Sequence, residues 1–149
     1  MIVRNGSFYI TTNKRKLDLK LIHRFLKNSY WAKNIPFKIV CRAIKNSLCF
    51  GVFESHKQIG FARVITDKAR FAYIHDVFII EKYRGRDLSK WLMGTILKHP
   101  QLQGMKKWAL ATRDAHDLYR QFGFKKLKDP AKHMEILNMN IYSESNKRS

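Results

Sequence analysis

The stretch from residue 77 to residue 92 constrains the fold more than any other part of the chain. Residues 77–80 form an unbroken apolar run, which is typical of a β-strand covered on both faces. From Leu88 onward the apolar residues recur at helical spacing. The short arginine-containing segment Tyr83–Asp87 separates the two. The sequence therefore predicts a buried strand that passes through a tight basic turn directly into a helix.

This turn is suited to binding phosphate groups. The first N–H groups of a helix have no intrahelical partners, and together with the helix dipole they attract anions. Arg84 and Arg86 add positive charge, and Gly85 allows the backbone to approach a ligand closely. We therefore expect an anion site that can hold a pyrophosphate at residues 84–90, which we call the cradle.

The strand and turn resemble motif A of the GNAT superfamily, the Gcn5-related N-acetyltransferases. In that motif a strand precedes Arg/Gln-x-x-Gly-x-Gly/Ala, which binds the pyrophosphate of acetyl-CoA. Arg84 matches the first position, while Asp87 and Ser89 stand at the two small-residue positions. We interpret Asp87 as the helix N-cap, because a carboxylate aimed at the phosphates would repel them. The resemblance implies that acetyl-CoA is held by the backbone of the strand and by the cradle, namely Val77, Phe78, Ile79, Arg84, Gly85, Arg86, Asp87, Leu88, Ser89 and Lys90.

A second segment, residues 114–124, is similar to GNAT motif B. In that motif a helix carrying a tyrosine ends in Tyr-x-x-x-Gly-Phe, and Tyr119, Gly123 and Phe124 match these positions. In many members the tyrosine protonates the departing CoA thiolate, so the resemblance implies that Tyr119 is the general acid. The alternative is that Tyr119 only packs against the sheet.

An acetyl transfer to an amine also needs a proton acceptor, and GNAT enzymes often carry one on the strand before the cradle. Strand alternation predicts that Asp76 shares a face with Ile74 and Phe78, and that His75 lies on the opposite face. We expect burial to raise the pKa of Asp76, which favours a general base. His75 is an alternative base, as is Glu54 on an earlier strand, and water often shares this role.

The remaining pattern predicts a single domain over residues 1–141 and a polar tail over 142–149. The expected strands are residues 7–12, 48–54, 58–66, 71–80, 107–112, 124–127 and 134–139, and the expected helices are 17–28, 36–44, 87–98 (with Asp87 as its cap) and 114–122 (with Asp114 as its cap). Short turns make the middle strands antiparallel, and a crossover helix makes the fourth and fifth parallel. This is the GNAT order, which implies an α/β (α+β) fold with a mixed sheet of six to seven strands and helices on both faces.

Charge and composition narrow the expected partners. The 30 Lys and Arg residues against 11 Asp and Glu give a net charge of +19, spread along the whole chain. Such a surface attracts polyanions such as RNA at low salt, suits the phosphates of CoA, and disfavours a polyamine substrate. No apolar run of transmembrane length and no signal peptide are visible, so we expect a cytoplasmic protein that does not bind membranes.

The cysteine and histidine pattern does not favour a metal site. The two cysteines, Cys41 and Cys49, lie in apolar surroundings, so we expect buried, reduced thiols. No cluster of cysteine and histidine has the spacing of a zinc site. We therefore expect neither a metal ion nor a catalytic thiol.

Taken together, these features predict an N-acetyltransferase. It would move acetyl from acetyl-CoA to a primary amine of a small molecule or peptide by direct attack, with no covalent enzyme intermediate. The alternatives are a non-catalytic acyl-CoA sensor, a basic nucleic-acid-binding protein on the same scaffold, and an acetyltransferase whose acceptor amine is attached to RNA, as in aminoacyl-tRNA. GNAT proteins are often dimers, which makes a homodimer an alternative to a monomer.

Overall fold

A six-stranded sheet whose strands follow one another in chain order forms the centre of the computed structural model, which describes residues 1–143. The strands are β1 (Ile2–Asn5), β2 (Phe8–Thr11), β3 (Leu48–Glu54), β4 (Lys57–Thr66), β5 (Phe71–Ile79) and β6 (Lys107–Leu110). The α-helices within these residues are α1 (Leu19–Lys27), α2 (Phe37–Lys45), α3 (Leu88–Leu97) and α4 (His116–Arg120). Of the predicted polar tail, residues 144–149 lie outside the described part of the chain.

The pairing of the strands confirms the predicted mixed sheet. All neighbours from β1 to β5 are antiparallel, whereas β5 and β6 are parallel. The parallel pair is joined by the crossover helix α3, as a parallel connection requires. The α/β fold class and the order of the elements from β3 to α4 are therefore as the sequence indicates.

Helices cover both faces of the sheet and form two hydrophobic cores. Ile22 of α1 and Val40 of α2 belong to one core with Phe61 of β4. Leu92 of α3 belongs to the other, together with Ala62, the residue that follows Phe61. Neighbouring residues of one strand point to opposite faces, so α1 and α2 cover one face and α3 covers the other.

β5 is interrupted at Asp76 by a β-bulge. Two residues of β5, Asp76 and Val77, lie opposite the single residue Ala62 of β4, and Asp76 has a left-handed φ of 54°. A bulge adds one residue and so shifts the side-chain alternation of the strand. Ile74 accordingly lies in the α3 core but Phe78 in the α1–α2 core, so the predicted grouping of Asp76 with both of them is wrong.

Four predictions outside the central strands are wrong. The strand expected first, residues 7–12, is the second strand of the sheet, because β1 precedes it. The two strands form a hairpin, and Gly6, with a left-handed φ of 60°, lies in its tight turn. The strands expected at 124–127 and 134–139 are not formed within residues 1–143, since no neighbouring strand pairs with them there. Asp114 does not cap α4, because the residue at the N-cap position is Ala115 and no side chain makes a capping hydrogen bond there.

Candidate active site

The parallel strands β5 and β6 separate part-way along β5 and leave a cleft. Their pairing runs only from Phe71 opposite Lys107 to Ile74 opposite Leu110, although β5 continues to Ile79. Among residues 1–143, the edge of β5 that faces away from β4 therefore has no strand partner over residues 75–79. Backbone N–H and C=O groups on such an edge can bind an extended ligand in the way that a neighbouring strand would. The predicted backbone contacts Val77, Phe78 and Ile79 lie on this edge.

The cradle follows directly at the end of β5. Gly85 has a left-handed φ of 81°, and a Cβ placed on it would meet no atom within 4 Å, so the backbone is open to a ligand there. Asp87 occupies the N-cap position of α3 with a left-handed φ of 58°, which aspartate tolerates better than most residues. Its side chain makes no capping hydrogen bond, so the expected capping contact is wrong. The N–H groups of the first turn of α3 consequently remain available to an anion.

The charges around the cradle are arranged for phosphate. Arg84 Nε donates to the Ile79 carbonyl over 3.0 Å, which holds its guanidinium at the end of β5. The Arg86 guanidinium lies 5.2 Å from the centroid of the Tyr83 ring. A cavity of about 340 Å³ opens here, lined by Ile79, Tyr83, Arg84, Gly85, Asp87, Leu88, Ser89, Lys90 and, from α4 and the residue after it, Leu118 and Gln121. All of the predicted cradle residues except Arg86 line this cavity, and the site fits a pyrophosphate.

Tyr119 is held at the other side of the cleft by α4. Its ring is buried and meets Phe124 edge to face with the centroids 5.9 Å apart, which explains why the Tyr-x-x-x-Gly-Phe spacing matters structurally. Burial, and to a smaller extent the nearby Tyr30, raises the pKa of Tyr119. Tyr119 also lines a cavity beside the end of β6, together with Ala111 and Thr112. A phenol that stays protonated beside a cleft is able to donate a proton, so the predicted role remains open to it.

Asp76 is the centre of a network of hydrogen bonds beneath the cleft. Its Oδ2 accepts a hydrogen bond from Arg63 Nε over 2.9 Å, and its Oδ1 accepts one from the Trp31 indole N–H over 2.8 Å. His75 Nδ1 lies 3.0 Å from the same Oδ1. Arg63 also donates to the Ser47 hydroxyl, so the guanidinium is fixed from two sides. The bulge explains the arrangement, because it allows the neighbouring side chains of His75 and Asp76 to meet.

This network decides the ionisation of Asp76. Burial alone would raise the pKa of Asp76, but the hydrogen bond and charge of His75, followed by those of Arg63, lower it to about 2. The expected rise in the pKa is therefore wrong, because sequence periodicity shows burial but not the partners. Arg63 was not among the predicted site residues. Its only signal in the sequence is a charged residue in the otherwise apolar middle of β4.

His75 is partly exposed and has one ring nitrogen to spare. Its Nδ1 lies 3.0 Å from Asp76 Oδ1 and 3.2 Å from Arg63 Nη2, while Nε2 has no hydrogen bond within residues 1–143. A carboxylate beside one nitrogen of an imidazole fixes the orientation of the ring. The third base candidate, Glu54, instead accepts a hydrogen bond from the Tyr83 hydroxyl over 2.9 Å.

An aromatic groove borders the cleft where α1 faces the loop after β6. The Arg113 guanidinium lies 3.8 Å from the centroid of the Tyr30 ring, and the Arg113 backbone N–H donates to the Tyr30 hydroxyl. The groove is also lined by Trp31, whose indole reaches Asp76, and by Phe25 and Ile80. Tyr30 and Trp31 thus give the groove an aromatic wall beside the cleft.

The described residues offer no other chemistry that competes with this site. Burial raises the pKa of the Cys49 thiol to about 11, so that it stays neutral, and both Cys41 and Cys49 are free of disulfides. Residues 1–143 contain no group of three or more side chains arranged to ligate a metal ion. No helix within the same residues has the length and apolar character needed to cross a membrane.

Comparison with known proteins assigns the family. The family model of the acetyltransferase (GNAT) domain matches residues 45–126, which contain β3 to α4 and therefore the cleft and the cradle. The chain belongs to the GNAT acetyltransferase family. The resemblance inferred from the two motifs is confirmed, and this GNAT chain is by its family an acyltransferase.

Individual relatives agree with this assignment. A GNAT family crystal structure from Xanthomonas campestris pv. campestris is 47% identical, superposes with a TM-score of 0.89, and the match covers 91% of this chain and 96% of that one. A protein from Gibberella zeae, named as an acetyltransferase, is 24% identical over 148 residues, covering 83% of this chain and 82% of the relative. A Clostridium acetobutylicum protein solved with acetyl-CoA is only 14% identical, but it shares the fold with a TM-score of 0.63 over 92% of this chain and 96% of its own.

Proposed function

We propose that this GNAT protein transfers the acetyl group of acetyl-CoA to a primary amine. The observation that carries the proposal is the continuous path from the unpaired β5 edge at residues 75–79 to the open cradle at the start of α3. An extended pantetheine arm would pair with the strand edge. The pyrophosphate would accept hydrogen bonds from the free N–H groups of α3 and would be attracted by the positive charge of Arg84. Acetyl-CoA supplies the activated acetyl group as a thioester.

The transfer is a direct attack. The amine nitrogen forms a bond to the thioester carbonyl carbon, and the carbon–sulfur bond then breaks, so that acetyl moves to nitrogen and CoA leaves as a thiolate. The amine must first lose the proton of its ammonium form, and His75 Nε2, or a water bound to it, receives this proton. Tyr119 donates its phenolic proton to the leaving sulfur, and the second proton, which the attacking nitrogen loses as the amide forms, passes through water to restore the phenol.

Asp76 serves this mechanism as a positioning residue and not as the base. With a pKa of about 2 its carboxylate is ionised at neutral pH and already accepts hydrogen bonds from Arg63 and Trp31. An anion so well stabilised is a weak proton acceptor. Its contact with His75 Nδ1 orients the imidazole and stabilises the imidazolium that forms when the amine loses its proton.

The net charge favours one particular class of acceptor as a second candidate. A charge of +19 attracts polyanions, so an amine carried by RNA, as in aminoacyl-tRNA, would be drawn to this surface. This candidate requires salt-sensitive binding of tRNA. If the protein does not bind tRNA even at low salt, an RNA-attached acceptor is ruled out, and small-molecule or peptide amines are the remaining acceptors.

A thiol-release assay with a panel of primary amines tests the proposal. The protein is incubated with acetyl-CoA and each amine, free CoA is measured with a thiol reagent, and the amine is analysed by mass spectrometry. We expect amine-dependent CoA release together with an N-acetylated product. Binding of acetyl-CoA without any acetylated amine across small amines, peptides and aminoacyl-tRNA would favour the non-catalytic sensor instead.

A further inference from the structure

The aromatic groove beside the cleft, lined among others by Phe25, Tyr30, Trp31 and Ile80, has the size of a small-molecule site. Its volume is about 700 Å³, which is in the range of pockets that hold small ligands. Tyr30 is 50% exposed and Trp31 is 37% exposed, so large aromatic surfaces face the solvent there. Exposed apolar surface that lines a cavity is typical of a ligand site. The groove is therefore suited to a small molecule with an apolar part.

The groove leads to the reacting groups. The Trp31 indole N–H donates to Asp76 Oδ1 over 2.8 Å, and the same oxygen lies 3.0 Å from His75 Nδ1. Phe25 stacks on Phe78 of β5 with the ring centroids 3.9 Å apart, so the groove rests on the strand whose edge is free. A molecule in the groove consequently lies beside the strand proposed to bind pantetheine and close to the proposed base.

The charges that line the groove are all positive. Within residues 1–143 nine residues line it, of which Arg24 and Arg113 are the charged ones and none is Asp or Glu. The Asp76 carboxylate behind Trp31 is already paired with Arg63. A molecule whose only charge is an ammonium would therefore meet two like charges without a carboxylate that is free to pair with it. An anionic group, in contrast, would be attracted.

Arg113 is held in an orientation that leaves its hydrogen-bond donors free. Its guanidinium lies 3.8 Å from the centroid of the Tyr30 ring, and its backbone N–H donates to the Tyr30 hydroxyl. A guanidinium that stacks on an aromatic ring keeps its N–H groups at its edge, where they can bind a carboxylate or a phosphate through two hydrogen bonds. The side chains of Arg113 and Arg24 make no hydrogen bond or ion pair within residues 1–143. Both arginines are thus available to a ligand in the groove.

We propose that the acceptor is a small primary amine that also carries an anionic group, either a carboxylate or a phosphate, and an apolar part. The anionic group binds Arg113 and Arg24, the apolar part packs against the aromatic wall, and the amine points towards His75 and the thioester. The inference rests on the proposed function, because it names the class of molecule whose amine is acetylated. The anionic group takes no part in the transfer and keeps its charge throughout.

Calorimetric titration tests this recognition without any turnover. The test compounds form two matched pairs that differ in the anionic group, namely L-phenylalanine with phenethylamine, and phosphoethanolamine with ethanolamine. Each compound is titrated into the protein in the presence of CoA. We expect the anionic member of at least one pair to bind about 10-fold or more tightly than its partner, and the responding pair distinguishes carboxylate from phosphate. If the anionic member has no advantage in either pair, the proposal is overturned.

Three substitutions show whether the groove is responsible for the preference. Arg113→Gln and Arg24→Gln each remove a positive charge but keep a polar side chain, and Arg42→Gln on α2 is the control that removes an equal charge outside the groove. We expect the preference for the anionic compound to be lost in Arg113→Gln, reduced in Arg24→Gln and retained in Arg42→Gln. Circular dichroism checks that all the variants are folded. A preference that persists when Arg113→Gln and Arg24→Gln are combined would overturn the proposal.

Thiol release with the same compounds separates this inference from the proposed function. We expect kcat/KM in wild type to favour the anionic member of the pair that shows preferential binding, and the Arg113→Gln variant to remove that advantage. Acetylation of both members with equal kcat/KM would overturn the inference and leave acetyl transfer to amines intact. Preferential binding of the anionic compounds without any acetylated product would contradict the proposed function and support the recognition of anions by the groove.

Discussion

The Trp31 indole N–H donates a hydrogen bond to Asp76 Oδ1 over 2.8 Å, and this bond ties the loop after α1 to the bulge of β5. The aromatic groove and the orientation of His75 thus depend on the same carboxylate. The other oxygen of that carboxylate accepts from Arg63, with both side chains of the ion pair largely buried. Asp76 therefore supports the fold as well as the site.

Replacing Asp76 by asparagine should destabilise the protein strongly. Asp76→Asn leaves the Arg63 guanidinium without its counter-charge in a site that is poorly hydrated, and breaking one side of a buried pair costs about 3 kcal/mol or more. Urea unfolding followed by circular dichroism measures the change. The control is Asp117→Asn, which breaks the exposed pair with Arg120 and should leave the unfolding midpoint unchanged. Equal effects of the two substitutions would contradict this account of Asp76.

Acid should remove the same stabilisation without any substitution. The pKa of Asp76 falls from an ordinary value of 3.8 to about 2 in the folded chain, because His75 and Arg63 hold the carboxylate in its ionised form. The resulting contribution, about 2 kcal/mol, is fully present above the unfolded pKa and is lost as the pH falls through the folded pKa. Urea unfolding between about pH 5 and pH 2 should show a smaller loss for Asp76→Asn than for wild type. Parallel pH dependences would show that Asp76 is not responsible.

Tyr119→Phe should affect turnover and not cofactor binding. The substitution keeps the ring that packs against Phe124 but removes the phenolic proton, so kcat should fall by about 10² or more while the acetyl-CoA dissociation constant stays constant. Steady-state kinetics and calorimetry measure the two quantities. Tyr9→Phe is the matched control, because that ring stacks on Phe53 on another part of the sheet. An unchanged kcat would show that Tyr119 does not donate the proton and only packs against its neighbours.

His75→Ala should lower the rate in a way that added imidazole reverses. The ring is partly exposed, so free imidazole can enter the space that the substitution leaves and accept the proton of the amine. We expect a loss of about 10²-fold in kcat and a partial recovery that depends on imidazole concentration. His56→Ala, in the exposed turn between β3 and β4, serves as the control. If His75→Ala is as active as wild type, bulk water takes the proton and the imidazole is not the base.

Sequence periodicity was sufficient wherever the chain follows a regular period. The central strands are long and apolar, and the turn after Ile80 carries an arginine and a glycine just before a helical pattern, so β3 to β6 and the turn into α3 were predictable. The chemistry of the cradle needs only backbone N–H groups, the helix dipole and nearby positive charge. These features are local and can be recognised in a single stretch of sequence.

The parts that could not be predicted depend on non-local contacts. The bulge at Asp76 arises from how β5 pairs with β4, and no local signal in Tyr-Ile-His-Asp-Val reveals it. A reader of the sequence who does not know of the bulge cannot foresee that His75, Arg63 and Trp31 contact Asp76. The pKa of Asp76 is then predicted to rise, whereas it falls. The segment at 134–139 has a strand pattern, but a strand forms only where another edge is available to it.

Calorimetric titration with acetyl-CoA at near-physiological salt tests the central claim, that the cradle binds acetyl-CoA, most directly. We expect micromolar binding by wild type, weakened by about 10-fold or more in Arg84→Ala, because the arginine is held at the end of β5 where the phosphates would lie. Arg42→Ala on α2 removes an equal charge away from the cleft and should bind as wild type does. Binding that is absent at millimolar acetyl-CoA, or that is insensitive to Arg84→Ala, would contradict the account.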